Sequence, residues 1–288
     1  MPSLKDIRRR LRTVISTQKI TRAMETVSAV KLRRAQERLF AARPYADRLA
    51  AIVQALSEDE TAAEHPLCQA RAVHHRTLIV ITADRGLCGA FNTNLLKQAD
   101  TFLAEHGTED LDVVPMGKRA NTHCRRKGWT VIDRVAEIGG QASAQVAGEV
   151  ARRLIARFTA GETDEVWILT TRMLSLIRFE PHFERLLPLA LGKDERRTGE
   201  YCLNYLFEPG AAEVLGTVLP RTAESRLYLA LAESVASEHS ARRMSMHNAT
   251  ENCKDLSQQL TLDINKARQA SITTELGEIV GGAEALKG

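Results

Sequence analysis

Apolar side chains recur at helical spacing near both ends of the chain. Near the N-terminus one series returns at multiples of seven positions and a second series lies three residues further on: Leu4, Leu11, Leu32 and Leu39, then Ile7, Val14 and Ala35. Near the other end a stripe with steps of three and four comprises Ala249, Cys253, Leu256, Leu260, Ile264 and Ala267. Both patterns place apolar residues on one helix face, so we predict two helices that wind around each other.

The middle of the N-terminal pattern is polar. In the same register the core positions there are Gln18, Thr21, Glu25 and Ser28. The apolar residues of these turns shift to Ile20, Met24 and Val27. A simple two-stranded coiled coil does not place glutamate and glutamine in its core, so we expect these central turns to face something other than a single partner helix.

Glycine and proline are scarce in the same two segments. The first glycine is Gly86, and neither residue occurs from Arg221 to Leu276, although the chain has 17 glycines and 8 prolines. Because these residues interrupt helices, we predict one helix from Ser3 to Leu56, which Pro44 could end or kink, and another from Thr222 to about Ala285. At about 1.5 Å per residue they would be roughly 80 and 95 Å long, too long for a globular domain of this size.

Strand and helix patterns alternate between the two long segments. Strands are predicted at Thr77–Asp84, Leu111–Met116, Glu165–Thr170 and Tyr201–Phe207, and helices at Leu95–Ala104 and Gln141–Phe158. This alternation indicates a small Rossmann-like α/β domain with a largely parallel sheet. We therefore predict an N-terminal helix over residues 1–57, a central α/β domain over residues 70–215 and a C-terminal helix over residues 220–288, the two helices running antiparallel.

Charge separates the two ends. Residues 1–50 contain 13 Lys and Arg against 4 Asp and Glu, whereas residues 222–288 contain 7 against 9. The basic face of the first helix comprises Arg8, Arg9, Arg10, Arg12, Lys31, Arg33 and Arg34. It could neutralise nucleic-acid phosphates, or be an ordinary solvated face, but no aromatic residue interrupts it before Phe40, so an acidic protein partner is the stronger functional interpretation.

The short motifs do not predict an enzyme. Asp84–Asn92 lies between a predicted strand and a helix, but it has neither glycine pattern of a nucleotide-binding loop, and we interpret it as a structural turn. Cys88 beside Arg85 could be an activated thiol, although no base accompanies it. The five cysteines are scattered and odd in number, without the spacing of a metal site or a disulfide framework. We expect no catalytic residue, metal or cofactor.

Four segments resemble the gamma subunits of bacterial F-type ATP synthases. They are residues 17–36, residues 84–92, residues 237–242 running on to 248–252, and residues 265–282, which read NKARQASITTELGEIVGG. Together they reach from one end of the chain to the other, and the last is long and specific. The resemblance implies a non-catalytic rotor subunit whose terminal helices form a shaft inside a hexamer of alpha and beta subunits, with catalysis in the beta subunits.

The resemblance also implies partners and site residues. Met24, Lys31, Arg33 and Arg34, together with Arg268, Gln269 and Thr273, match family positions expected to meet acidic or polar loops of the beta subunits. Tyr205 and Glu208 match positions near the ring of c subunits, on the side of the epsilon subunit. The delta subunit is a further member of the complex.

The sequence also gives an expected location. The first residues lack the apolar stretch of a secretory signal, and no run of about 18 apolar residues occurs. With the resemblance, we expect a peripheral protein held by its complex on the cytoplasmic face of the bacterial inner membrane.

Overall fold

The computed structural model describes residues 4–57, 62, 64–107, 110–175, 178–190, 207–208 and 210–285. In chain order the elements are α1 (Leu4–Leu56), β1 (Arg76–Ile81), α2 (Phe91–His106), β2 (Leu111–Met116), α3 (Lys118–Lys127), α4 (Ala144–Thr159), β3 (Glu165–Met173), β4 (Phe179–Leu187) and α5 (Ala211–Ala285). They form two compact units: a terminal unit of Met1–Ser28 and Arg243–Gly288, and a central unit of Ala29–Arg242.

The central unit contains a four-stranded sheet with the order β2-β1-β3-β4. Strands β1, β2 and β3 are parallel, and β4 runs antiparallel to β3. The sequence did not predict β4, because its charged residues and Pro181 give a half-exposed pattern instead of a buried apolar run. The strand predicted at Tyr201–Phe207 lies outside the described residues, apart from Phe207, which is not in a strand.

Side chains of β1 alternate between two cores. Leu78 and Val80 point to the face covered by α2 and α3, while Ile79 and Ile81 point to the face covered by α4 and α5. All four side chains are completely buried, as is typical of a parallel strand with helices on both faces. The predicted α/β domain with a largely parallel sheet is therefore confirmed, although α3 was not predicted, since seven of its ten residues are Lys, Arg, His or Asn.

Helix α1 continues through Pro44 without ending. The proline is exposed, while Ala46, Leu49 and Val53 on the buried face of the same helix pack inward. Proline removes one backbone hydrogen bond, but on the solvent side the freed carbonyl can bind water. The possibility that the helix ends at this residue is thus excluded.

Helix α5 begins at Ala211, well before the predicted Thr222, and contains Pro220. Leu215 and Leu219 lie in its first turns and are completely buried. Burying each leucine contributes about 1.5–3 kcal/mol, which together offsets the roughly 3 kcal/mol that proline costs inside a helix. The glycine and proline near residues 216–220 therefore did not mark the helix boundary, because packing outweighs local propensity.

The terminal unit pairs the start of α1 with the later part of α5 in antiparallel directions. Thr21 Oγ1 lies 2.8 Å from Thr250 Oγ1, and Glu25 Oε1 lies 3.1 Å from His247 Nδ1. The expectation that these turns face something other than a single partner helix was therefore wrong for Thr21 and Glu25. These polar side chains find partners on α5, so they remain in the seam without an unsatisfied group, while Ile20 is the side chain that faces outward, 58% exposed.

Replacement of a buried leucine of α5 should separate packing from propensity. We expect Leu219→Ala to lower the free energy of unfolding by about 2–5 kcal/mol, because it leaves a cavity in the central core. The control, Leu276→Ala, removes the same atoms from a side chain that is 57% exposed and should change stability by less than about 0.5 kcal/mol. Urea unfolding of the purified variants measures both values, and equal losses would contradict this account of the core.

Candidate functional site

Three residues of the predicted basic face lie on the part of α1 that belongs to the central unit. Arg33 points to solvent, where its Nε atom lies 3.1 Å from Glu37 Oε1 and its side chain is 84% exposed. Lys31 and Arg34 instead line one cavity together with Arg38. The basic face is thus divided, with Arg33 facing outward and its two neighbours beside a pocket.

The other predicted interface residues lie on both units. In the terminal unit Met24 is half-buried, whereas Arg268, Gln269 and Thr273 are exposed on α5. The Thr273 hydroxyl donates to the backbone carbonyl of Gln269 at 2.9 Å. In the central unit Glu208 is exposed, and Tyr205 lies outside the described residues.

The end of α5 carries exposed apolar side chains that the sequence analysis did not single out. Residues 268–282 are exposed on every side of the helix, and they include Ile272, Leu276, Ile279 and Val280. On α1, Ile20 and Val27 are exposed as well. Single exposed apolar residues are ordinary, but several along one helix end are typical of a surface that another chain covers.

The Asp84 carboxylate holds the turn between β1 and α2. It accepts backbone N–H bonds from Lys118 at 3.0 Å, from Ile138 at 3.1 Å and from Gly139 at 2.8 Å. Its carboxylate thus connects the turn to the start of α3 and to the loop before α4, in agreement with the interpretation of residues 84–92 as a structural turn.

A buried polar stretch of α5 fastens the same turn. Residues 234–241 are buried on all sides of the helix. Glu238, within this stretch, forms an ion pair at 2.7 Å with Arg242, which follows it. The Arg242 guanidinium also donates to the Gly86 carbonyl at 3.3 Å. This ion pair was not predicted from the sequence, although opposite charges four residues apart on a helix rich in alanine and serine indicate such a pair.

His239 and Cys88 are both uncharged at neutral pH in this environment. Burial lowers the pKa of His239, whose Nε2 lies 3.1 Å from the Gly140 carbonyl oxygen. Burial also raises the pKa of the Cys88 thiol, although Arg242 acts in the opposite direction. Cys88 is 2% exposed, so its thiol is protonated and inaccessible to a reactant, which argues against the activated-thiol alternative.

Among the described residues no group of three or more His, Cys, Asp or Glu side chains could hold a metal ion. None of the helices in the described ranges is long and apolar enough to cross a membrane.

Comparison with known proteins decides the family. A family model described as ATP synthase matches residues 3–286. The ATP synthase gamma chain of Pelotomaculum thermopropionicum is 40% identical over 287 residues, and that of Desulfitobacterium hafniense is 42% identical over 287 residues, with the whole of each chain covered. The chain belongs to the ATP synthase gamma chain family. These relatives give no support to the nucleic-acid alternative.

Solved structures show that the fold is shared more widely. A chain of the Euglena gracilis mitochondrial ATP synthase matches with a TM-score of 0.68 and 20% identity, over 98% of this chain and 94% of that one. A chain from the central stalk and c-ring of the Tetrahymena thermophila mitochondrial ATP synthase matches with a TM-score of 0.63 and 22% identity, over 80% and 99%. The predicted fold, long terminal helices with a central α/β domain, is therefore confirmed.

The three bonds to Asp84 predict a measurable loss when its charge is removed. Asp84→Asn keeps the shape of the side chain but replaces an acceptor oxygen with an NH₂ group that faces N–H donors. We expect stability to fall by about 1–3 kcal/mol. Asp263→Asn, which changes an exposed carboxylate on α5, is the matched control and should stay within about 0.5 kcal/mol. Thermal unfolding compares the two, and an unchanged Asp84→Asn variant would contradict the anchoring role.

Proposed function

We propose that the chain is the central-stalk rotor of an F-type ATP synthase, which couples ion flow through a membrane c-ring to ATP synthesis or hydrolysis at the beta subunits. The observation that carries the proposal is full-length identity of about 40% to ATP synthase gamma chains. The two long helices support it, since α1 has 53 residues and α5 has 75. Such helices can transmit torque between a ring and distant catalytic sites.

The terminal unit is the part proposed to turn inside the hexamer of alpha and beta subunits. Its exposed apolar side chains, among them Ile272, Leu276 and Ile279, would lose their contact with water there. A shaft that presents a different surface in each direction favours a different conformation of each beta subunit. The coupling then arises from differential contacts, and rotation changes which subunit each contact favours.

The polar contacts to the beta subunits are assigned to both helices. Lys31, Arg33 and Arg34, with Met24 nearby in sequence, are proposed to meet acidic loops, and Arg268, Gln269 and Thr273 are proposed to meet polar or acidic groups. Arg33 supports this assignment, because its side chain and that of its partner Glu37 are both exposed to solvent. Such surface pairs contribute about 0–1 kcal/mol, so a partner's carboxylate can replace Glu37 at little cost.

The central unit is proposed to lie towards the membrane. Glu208, which is exposed, and Tyr205 are assigned to the side of the c-ring and the epsilon subunit. The delta subunit completes the complex. The chain would then be a peripheral protein on the cytoplasmic face of the bacterial inner membrane, held there by its complex.

No chemical step is assigned to this chain. The Asp84 carboxylate, at the start of the turn, binds the backbone N–H groups of Lys118 and Gly139 and so has a structural role. Catalysis belongs to the beta subunits in this proposal, and the gamma chain acts through contacts alone.

Reconstitution tests the proposed function. The purified chain should hydrolyse no ATP, whereas mixing it with alpha and beta subunits from the same organism should give an active complex that also retains epsilon during purification. Steady ATP hydrolysis by the chain alone, with contaminants excluded, would contradict the proposal, and so would failure to form any complex.

Charge reversal tests the basic face. We expect Lys31→Glu, Arg33→Glu and Arg34→Glu together to reduce ATP-driven ion pumping by about ten-fold or more, because like charges facing each other cost several kcal/mol. The control reverses three other exposed cations of the central unit, Lys97, Arg125 and Arg134, and should pump normally. Circular dichroism verifies that both variants fold. Unchanged pumping by the first variant would remove the basic face from the coupling mechanism.

A further inference from the structure

A cavity in the central unit lies between α1, α5 and the loop that precedes α4. Its volume is about 90 Å³, and its walls include Lys31, Arg34, Arg38, the Gly139–Gly140 loop and His239. A water molecule needs only about 10–15 Å³ measured in this way. The cavity therefore has room for several water molecules or for one small ion.

The cavity is positively charged. Three of its lining residues carry a full positive charge, and none of the described residues that line it is acidic. His239 adds no charge at neutral pH, because burial lowers its pKa. Three cations around one small space repel one another unless an anion lies between them, so the arrangement favours an anionic occupant.

The walls of the cavity are held in defined positions. The Arg38 guanidinium donates to Gln141 Oε1 at 3.0 Å, and the loop is fastened by Gly139 N–H to Asp84 and by the Gly140 carbonyl to His239. Both glycines have φ of +69°, a conformation that favours glycine, so the loop brings bare backbone to the cavity. Lys31, Arg34 and Arg38 are themselves exposed, so the cations line a recess that is open to solvent.

We propose that this cavity binds a phosphate group through Lys31, Arg34 and Arg38. A phosphate group has several acceptor oxygens and a charge of about −1.5 to −2, which suits three neighbouring cations better than the two oxygens and single charge of a carboxylate. Arginine also matches phosphate geometry with two parallel N–H donors. The phosphate can be a free ion or the terminal group of a nucleotide. The site belongs to the chain free of its partners, since Lys31 and Arg34 are also the residues proposed to meet acidic loops of the beta subunits, and it does not rest on the proposed rotor function.

Calorimetric titration of the purified full-length chain with inorganic phosphate tests this site. The ionic strength is held constant with sodium chloride, so that general screening is the same throughout. We expect saturable binding of one phosphate, weakened by about ten-fold or more in Arg34→Gln and in Lys31→Gln, since each loses a charge-assisted hydrogen bond. Arg33→Gln is the matched control, because the adjacent arginine points to solvent, and its affinity should stay within about two-fold.

A second titration with ADP identifies the source of the phosphate. If ADP displaces phosphate and its binding requires Arg34, the ligand is a nucleotide. If ADP does not displace bound phosphate, the ligand is the free ion. No saturable binding of either ligand overturns the proposal, as does equal weakening by Arg33→Gln and Arg34→Gln. Tighter Arg34-dependent binding of a hexaglutamate peptide than of phosphate also overturns it, in favour of docking an acidic segment. Assembly with alpha and beta subunits is measured separately, so failure at this site leaves the rotor proposal intact.

Discussion

The close packing of α5 against the sheet and α1 is the constraint on which the central unit depends. Residues 234–241 are buried on every side of the helix, and alanine and serine make up most of this stretch. Small residues let the backbones approach, so the Ser237 hydroxyl donates to the Thr171 carbonyl at 3.0 Å and the Thr170 hydroxyl donates to the Ala230 carbonyl at 3.2 Å. A larger side chain at Ala236, which is completely buried, would force these elements apart.

The charged groups of this stretch connect the core to the loops around it. The pair of Glu238 and Arg242 is about nine-tenths buried, and burial of a lone charge would cost several kcal/mol. Arg242 also donates to the turn that Asp84 anchors, and His239 contacts the loop at Gly140. The turn at Gly86 and the loop at Gly140 are therefore held by contacts with α5 as well as by the bonds to Asp84. Beyond residue 267 the same helix has no buried side chain among the described residues, so this part of α5 does not contribute to the core.

Elements defined by local pattern could be predicted from the sequence. Strand β2 was predicted with its observed bounds, because all six residues are buried and the apolar run coincides with the strand. Strand β4 could not be predicted in the same way, since it pairs with β3 at the sheet edge and its pattern is mixed. The contacts of Thr21 and Glu25 could not be predicted from the local pattern. A polar side chain is tolerated between two helices when it has a hydrogen-bonding partner, and the partners here, Thr250 and His247, are more than 220 residues away in the chain. The cavity is lined by three segments that are distant in the chain, around residues 31–38, 139–142 and 232–239, and a pattern along the chain cannot show that they meet.

Rotation of single complexes tests the account most directly. The alpha and beta hexamer would be fixed to a surface, and a visible probe would be attached to the chain through Lys97→Cys, an exposed position on α2, with the partly exposed Cys68 and Cys253 replaced by serine. Cys202 is replaced by serine as well, so that the probe attaches at one position. We expect added ATP to drive the probe round in one direction. Normal ATP hydrolysis by complexes whose probe stays still would contradict the rotor proposal.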